Sequence, residues 1–202
     1  MNEIKITQLQ PNEINEAAKL LSQAFILTPF SSIVAGGQDE KHRRMLETGF
    51  KIMFEKKPGK VVVAKDNGNI VGVMRMVEWP DCQNSIPRGL EKIPTLLFAR
   101  GAALRLFKFR SIWGRHDPKE PHWHIDPIGV LPDKQGQGIG NKLLTYFCKH
   151  IDKLNAAAYH ETDQEQNVRL YERFGYKVVE TEPIFNITNW FLKRPPQNKK
   201  FN

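Results

Sequence analysis

Apolar residues follow two different periods along this chain, and segments with the two periods alternate. Short alternating or continuous apolar runs indicate strands, whereas apolar residues spaced by three and four positions indicate helices. The predicted strands cover residues 3–9, 61–64, 70–79, 123–131, 156–160, 176–181 and 184–192. The predicted helices cover residues 12–25, 39–57, 90–109, 139–154 and 164–174, and residues 28–37 are predicted to form a loop.

Turn residues indicate how two pairs of these strands connect. Asn67-Gly68 lies between the second and third strands, and this dipeptide favours the positive φ of a tight hairpin. Pro183 separates the last two strands, where we expect a closing hairpin. An antiparallel pair followed by a strand that leads into a helix predicts an α/β chain built on a mixed sheet.

Residues 80–121 form an unusually long connection between two predicted strands. Five prolines interrupt it, and its helical part, residues 90–109, is both apolar and basic. Three interpretations are open: a helix packed on the sheet, a wall of a binding pocket, or a helix that lies on a membrane surface. We expect a single domain over residues 1–193, with residues 80–121 as a helical insertion and residues 194–202 as a flexible tail.

Composition narrows the class of protein. With 202 residues, 40% apolar and 26% charged, the chain is long enough for one globular domain with a real core. The formal net charge of +8 would attract an anionic ligand or nucleic acid. Because the basic residues are mostly scattered, we expect solvated side chains and no nucleic-acid partner. No apolar run approaches ~18 residues, so we expect no membrane-spanning helix and no membrane partner.

Cysteine and histidine positions bear on redox state and metal binding. Cys82 and Cys148 are far apart and lack metal-ligand spacing, which suits a reducing, cytoplasmic compartment without a disulfide framework. His122, His124 and Asp126 alternate along one strand and point to one side, an arrangement that could form a metal face. No third His or Cys lies at close spacing, so we expect a pocket or core face there and no metal.

A glycine-rich turn, residues 135–140, joins the strand 123–131 to the helix 139–154. A helix N-terminus presents unpaired N–H groups, and glycines let a ligand approach them, so this turn predicts a phosphate site. A turn without a ligand is the structural alternative. A P-loop is excluded because no Gly-x-x-x-x-Gly-Lys-Ser/Thr string occurs. A dinucleotide fingerprint fails by one residue, because Asn141 stands where its third glycine belongs.

Two motifs, in this order, support a third interpretation of the turn. Residues 135–140 read Gln-Gly-Gln-Gly-Ile-Gly and fit the pattern Gln/Arg-x-x-Gly-x-Gly/Ala. Residues 167–176 read Asn-Val-Arg-Leu-Tyr-Glu-Arg-Phe-Gly-Tyr and are similar to the pattern Asn-x-x-x-Tyr-x-x-x-Gly-Phe. Together they resemble the motifs of the GCN5-related N-acetyltransferases (GNAT). The resemblance is specific over residues 123–180 and looser over the rest of the chain.

The resemblance implies the GNAT fold, a central and mostly antiparallel sheet that is flanked by helices and splayed at a coenzyme site. It also implies acetyl-CoA as cosubstrate, with its pyrophosphate on the N–H groups of residues 136–141 and its pantetheine arm along residues 128–130. Many members place the pantetheine-binding Asn where this chain has Gln164, whereas some place it at the position of Asn167. The expected coenzyme-binding residues are Ile128, Gly129, Val130, Gln135, Gly136, Gln137, Gly138, Ile139, Gly140, Asn141 and Asn167.

The same resemblance implies roles in catalysis. Tyr171 would be the general acid that protonates the departing thiolate. Glu161, just past a predicted strand, resembles the acid found there in relatives and would be the base. Asp126, His124 and Glu78 are rivals on neighbouring strands, and many members use a chain of waters instead of one carboxylate.

These features predict an acetyl-CoA-dependent N-acetyltransferase that moves an acetyl group directly to a primary amine of a small molecule, in a ternary complex. The insertion would narrow a groove for an extended peptide. The chain also resembles the puromycin-acetyltransferase branch of the family, although this resemblance is looser than the resemblance to the family as a whole. Two alternatives are open: a protein, peptide or RNA acetyltransferase, and a non-catalytic acyl-CoA-binding regulatory module, against which Tyr171 argues. The C-terminal hairpin could mediate a homodimer. The expected pocket residues are Phe25, Phe30, Trp79, Trp123 and Asp126.

Overall fold

A computed structural model describes residues 3–83 and 100–197, which form a seven-stranded sheet with helices on both faces. The strands are β1 (Lys5–Gln8), β2 (Lys60–Asp66), β3 (Asn69–Glu78), β4 (Trp123–Val130), β5 (Ala158–Thr162), β6 (Lys177–Ile184) and β7 (Ile187–Arg194). The helices are α1 (Ile14–Phe25), α2 (Pro29–Ala35), α3 (Glu40–Lys56), α4 (Arg100–His116), α5 (Ile139–Lys153) and α6 (Glu165–Glu172). This architecture confirms the predicted α/β class.

The order of strands across the sheet is β1-β2-β3-β4-β5-β7-β6. Neighbours are antiparallel except β4 and β5, which run parallel, so the sheet is mixed and mostly antiparallel as expected. The β4–β5 ladder consists of the pairs Trp123–Ala158 and His124–Tyr159. Beyond His124 the ladder ends, which confirms the predicted splay. From that point, the main-chain groups of β4 that face β5 are open to a ligand.

Alternation along the central strands divides their side chains between two cores. Met76 and Ile125 point to the face that α5 covers, and the predicted apolar stripe of α5 is buried against them. Val73 points to the opposite face, under α1. A Cβ atom at Gly72 would lie 2.9 Å from the Ile139 Cγ2 atom, so glycine at this position permits the close approach of α5 to the sheet.

The structure corrects the loop expected over residues 28–37, because α2 lies within it. The Thr28 hydroxyl accepts a hydrogen bond from the Ser31 N–H group at 3.3 Å, and Pro29 occupies the first turn. Gly36 ends the helix with a φ of 85°. These are ordinary helix start and stop signals. The helix is too short to form on its own, and it is stabilised by packing of Val34 in a cluster with α4.

The closing hairpin also differs from the expectation. Its turn is formed by Phe185 and Asn186, with φ of 49° and 64°, and Pro183 is paired within β6. Proline is tolerated there because β6 is an edge strand. Strand β7 continues to Arg194, which is buried and contacts Asp152, so regular structure passes the boundary expected at residue 193.

The long insertion contains α4, which runs to His116 and therefore ends later than the predicted helix, residues 90–109. The first part of that predicted helix, before residue 100, lies outside the described residues. Phe109 is fully buried and contacts Phe30 and Trp113, so α4 packs on the protein. In the described ranges no single helix is long and apolar enough to cross a membrane. A bent pair, Pro11–Phe25 with Pro29–Ala35, meets the length and composition criteria with a 105° bend.

Candidate active site

A cavity of about 1050 Å³ opens where β4 and β5 separate. Its walls come from the ends of α1 and α2, one side of α3 and α4, the exposed edge of β4, the end of β5, the glycine-rich turn and α6. The volume lies at the upper end of the range for small-molecule sites, which is enough for a cofactor and a second substrate together.

The glycine-rich turn lines this cavity and leads directly into α5. Gly136 and Gly138 have φ of 75° and 81°, a region that other residues adopt at a cost. Cβ atoms built at Gly136, Gly138 and Gly140 would meet none of the described atoms within 4 Å, so the space in front of the turn is open. The side-chain amide of Gln135 donates to the Val130 carbonyl at 3.2 Å and ties the turn to β4. The first N–H groups of α5 are therefore accessible to an anion.

The β4 main chain forms the adjacent wall. Gly129 pairs with Val73 on one side, whereas the β4–β5 ladder has already ended on the other side. A Cβ atom at Gly129 would lie 2.7 Å from the Leu21 Cδ2 atom and 3.1 Å from the Phe25 Cε2 atom. Glycine at this position therefore lets α1 pack directly on the strand. Ile128, Gly129 and Val130 all line the cavity, as the resemblance implied.

Tyr171 and Asn167 are one helical turn apart on α6, and both line the cavity. The Asn167 side-chain amide donates to the Thr162 hydroxyl at 3.3 Å. The Tyr171 ring lies 4.4 Å from the ring of His160. Burial raises the pKa of Tyr171 above its ordinary value, so its hydroxyl stays protonated at neutral pH. Burial lowers the pKa of His160 to about 4, so the imidazole beside Tyr171 is neutral.

Glu161 and His124 form a close pair on the opposite face of β5. The Glu161 Oε2 atom lies 2.9 Å from the His124 Nε2 atom. Burial is the largest single influence and would lower the pKa of His124, but the charge of Glu161, contacts with Cys82 and Glu161, and the charge of Asp126 together raise that pKa well above its usual value. Glu161 also lines the cavity.

Asp126 lies near this pair but in a different electrostatic environment. Burial opposes its ionisation, yet the charges of Arg110 and Arg75 outweigh burial and lower the pKa of Asp126 to about 2. The Arg75 Nη1 atom lies 3.5 Å from the Asp126 Oδ2 atom and donates to the Asp126 carbonyl at 3.0 Å. A carboxylate with such a low pKa is a weak base, which argues against Asp126 in that role.

The structure brings three of the five expected pocket residues to the cavity: Phe25, Phe30 and Asp126. Trp123 does not reach it, because alternation along β4 points it to the face opposite His124 and Asp126. There its ring lies 4.8 Å from the ring of His150, under α5. Trp79, just past the end of β3, and Gln137, whose side chain donates to the Asp133 carbonyl, also lie outside the lining.

Several cavity residues were not anticipated from the sequence. Asp163 follows β5 directly, and its carboxylate accepts a hydrogen bond from the Phe30 N–H group at 2.6 Å. Burial raises its pKa. No local motif marks this acid, because its partner is 133 residues away. Met45 and Phe50 of α3 and Lys57 at its end are further lining residues that were not anticipated. Leu106, Phe107, Arg110 and Trp113 of α4 also line the cavity, in line with the interpretation of the insertion as a pocket wall.

Residues 21–176 match the acetyltransferase (GNAT) family, and the chain belongs to this family. The mycothiol acetyltransferase of Propionibacterium freudenreichii subsp. shermanii is 34% identical over 90 residues, which cover 43% of this chain and 29% of that protein. The mycothiol acetyltransferase of Streptomyces coelicolor is 29% identical over 76 residues, 36% of this chain and 25% of that protein. The match thus spans less than a third of the length of these relatives.

Solved structures share the fold over nearly the whole chain. Histone acetyltransferase HPA2 and related acetyltransferase from Corynebacterium glutamicum has a TM-score of 0.72 at 19% identity, covering 99% of both chains. A GNAT family acetyltransferase from Brucella melitensis, in complex with acetyl-CoA, has a TM-score of 0.55 at 15% identity. That match covers 98% of this chain and 92% of the other. At these identities the likeness establishes the fold alone.

Proposed function

We propose that this protein is an acetyl-CoA-dependent N-acetyltransferase that acetylates a primary amine of a small molecule. One observation carries the proposal. The glycine-rich turn, the open edge of β4, Tyr171 and Glu161 all line a single continuous cavity. The candidate phosphate site, the open strand edge, the candidate proton donor and the carboxylate therefore line the same cavity. Direct transfer between two bound substrates requires such an arrangement.

The coenzyme would occupy the side of the cavity formed by the turn and β4. Its pyrophosphate would accept hydrogen bonds from the N–H groups of residues 136–141, at the positive end of the α5 dipole. Its pantetheine arm would pair with residues 128–130 as an additional strand, because the β5 side of β4 is open there. A β4 N–H group would then polarise the thioester carbonyl.

The acceptor would bind between α1, α2 and α4. Phe25, Phe30 and Trp113 provide apolar walls, and the carboxylates of Glu161 and Asp126 favour an ammonium group in the same space. Because α2 and α4 cover this side, the pocket suits a compact amine better than an extended peptide.

The reaction would follow from this placement. Glu161 accepts a proton from the ammonium, and the neutral amine nitrogen attacks the thioester carbon. The new C–N bond forms as the C–S bond breaks, and Tyr171 donates its proton to the departing thiolate. The nitrogen of the product then releases its extra proton, which restores the Tyr171 phenol through solvent and leaves a neutral amide. Holding both substrates in line would supply much of the rate enhancement, since proximity and orientation are worth up to about 7–11 kcal/mol.

The test is a screen of small primary amines, peptide N-termini and RNA with acetyl-CoA, followed by release of the coenzyme A thiol. We expect transfer to small amines, with initial-rate patterns that intersect because both substrates bind before reaction. Transfer to peptides or RNA alone would favour the macromolecular alternative. Tight acetyl-CoA binding without release to any acceptor would favour the non-catalytic module.

A further inference from the structure

Behind Glu161, four side chains of metal-ligand type converge: Cys82, Asp117, His122 and His124. One donor atom from each lies within 4.8 Å of all the others. Cys82 is half-buried, and the other three are buried. They come from three separate segments: the chain after β3, the residue that follows α4, and the start of β4.

His122 is oriented as a metal-ligating histidine. Its Nδ1 atom lies 2.8 Å from the Glu120 carbonyl, so this nitrogen carries the proton. Its Nε2 atom faces the cluster, 3.1 Å from the Asp117 Oδ1 atom and 3.5 Å from the Cys82 Sγ atom. Metal-bound histidines generally donate the opposite ring nitrogen to a carbonyl or carboxylate in this way, which leaves a lone pair for the ion.

His124 lies close to a carboxylate. Its Nε2 atom lies 2.9 Å from the Glu161 Oε2 atom, although the two atoms make no well-aligned hydrogen bond. Among the described residues its buried Nδ1 atom has no hydrogen-bond partner, and the Asp117 Oδ1 atom makes no well-aligned hydrogen bond despite its short contact with His122. Buried polar atoms left unsatisfied lower the stability of the folded state. An ion bound between them would satisfy both.

We propose that Cys82, Asp117, His122 and His124 bind one zinc ion. One thiolate, two imidazoles and one carboxylate form a donor set typical of zinc, whereas magnesium and calcium prefer oxygen alone. Bonds of about 2.0–2.3 Å in a tetrahedral site place the donor atoms about 3.3–3.8 Å apart. The observed separations, at most 4.8 Å, therefore need only small side-chain movements.

This proposal replaces the expectation of no metal, which rested on the lack of a third ligand near His122 and His124. Folding supplies the missing ligands, because Cys82 is 40 residues from His122 in the sequence. Four protein ligands make a closed site, as in structural rather than catalytic zinc centres. The ion would fasten the insertion to β4, and it would hold the His124 ring that contacts Glu161. The ion would take no part in acetyl transfer itself.

Metal content and cobalt spectroscopy test the site without an activity measurement. The tag-free, reduced protein is stripped with a chelator and titrated with zinc or with cobalt. We expect about one ion per chain and a thiolate-to-cobalt charge-transfer band. Cys82→Ala should abolish this band and weaken zinc binding at least about 10-fold. Cys148→Ala is the matched control, because Cys148 lies on the buried face of α5, outside the cluster, and its replacement should leave both readouts unchanged.

Thermal unfolding gives an independent readout. Zinc should raise the melting temperature of the wild-type protein and of Cys148→Ala, because an ion that binds the folded state stabilises it. Cys82→Ala should show no such rise, and circular dichroism confirms that this variant is folded. Zinc binding by Cys82→Ala that is as tight as in the wild-type protein, or no zinc binding by the reduced wild-type protein, would overturn the proposal. Neither result bears on acetyl transfer.

Discussion

At the scale of single residues, the strand face on which a side chain lies determines which groups of the site it can contact. His160 and Glu161 are neighbours on β5, yet the His160 ring packs against Tyr171 while Glu161 contacts His124 on the other face. The proton donor and the proposed base therefore approach the cavity from opposite faces of the sheet. This separation suits a reaction in which one proton leaves the amine and another reaches the thiolate.

Replacing Tyr171 by Phe removes the proposed proton donor and keeps the ring that packs on His160. We expect kcat to fall roughly 100-fold, with little change in the dissociation constant of acetyl-CoA. Steady-state kinetics and calorimetry measure the two effects. Tyr146→Phe is the control, because Tyr146 is an exposed tyrosine on α5 and should keep normal turnover. Normal turnover in the Tyr171 variant, with chemistry rate-limiting, would remove this residue from the mechanism.

Replacing Glu161 by Gln keeps the shape of the side chain and removes the proposed base. We expect kcat/KM for the amine to fall about 100-fold, whereas acetyl-CoA affinity should change little. Glu78→Gln is the matched control, since Glu78 is exposed at the end of β3 and outside the cavity lining. Normal kcat/KM in both variants would point to Asp126 or to a chain of waters as the base, and a loss in Glu78→Gln alone would point to Glu78.

At the scale of elements, the N-terminus of α5 is the structural unit that should bind the coenzyme. Gly138→Leu would fill the open space before the helix and would force a leucine into the left-handed region. That conformation costs roughly 1–2 kcal/mol, which a domain of ordinary stability tolerates. Calorimetry should show acetyl-CoA affinity at least about 100-fold weaker in a folded protein.

Two further variants separate obstruction of the site from backbone strain. Gly140→Leu adds the same bulk inside the first turn of α5, where φ is not positive, and should also weaken binding. Gly114→Leu lies on α4 with open space around it and should bind normally. Normal affinity in both turn variants would contradict the assignment of the turn to the coenzyme.

The end of β7 is the element most at odds with the expected tail. Arg194 contacts the Asp152 carboxylate at 2.6 and 3.1 Å and donates to the Phe174 carbonyl at 2.7 Å. Arg194→Met should lower the free energy of unfolding by about 1–3 kcal/mol, because these buried partners lose their donor. Lys193→Met removes an exposed ion pair with Glu120 and should cost less than about 1 kcal/mol. Denaturant unfolding measures the free energy of unfolding of both variants. Equal values would show that β7 ends before Arg194.

At the scale of the whole molecule, the proposed site for both substrates is one cavity lined by the six described helices and by strands β4 and β5. Acetyl-CoA bound there should stabilise the entire domain, by about 2.7 kcal/mol at a concentration 100-fold above its dissociation constant. Thermal unfolding with and without acetyl-CoA measures this, and Gly138→Leu should show no such gain. If saturating acetyl-CoA does not change the melting temperature of the wild-type protein, the proposed coenzyme site is contradicted.

Local patterns in the sequence were sufficient to predict the features that depend on short stretches of chain. The periodicity of residues 139–154 predicted α5 and its buried face, and Asn67-Gly68 predicted the hairpin of β2 and β3. The two motifs, residues 135–140 and 167–176, pointed to the family. Each signal is complete within a few residues, because helix periodicity, turn chemistry and loop motifs are local properties.

Contacts between residues that are far apart in the sequence became apparent only in the tertiary structure. It formed α2 by packing Val34 against α4, turned Trp123 away from the cavity, and brought Asp163 to the Phe30 N–H group. It also gathered Cys82 with His122, 40 residues apart. Such contacts depend on strand register and on the order of strands in the sheet, which no local pattern encodes. A shift by one residue on β4 would exchange the faces of Trp123 and His124, and with them the pocket.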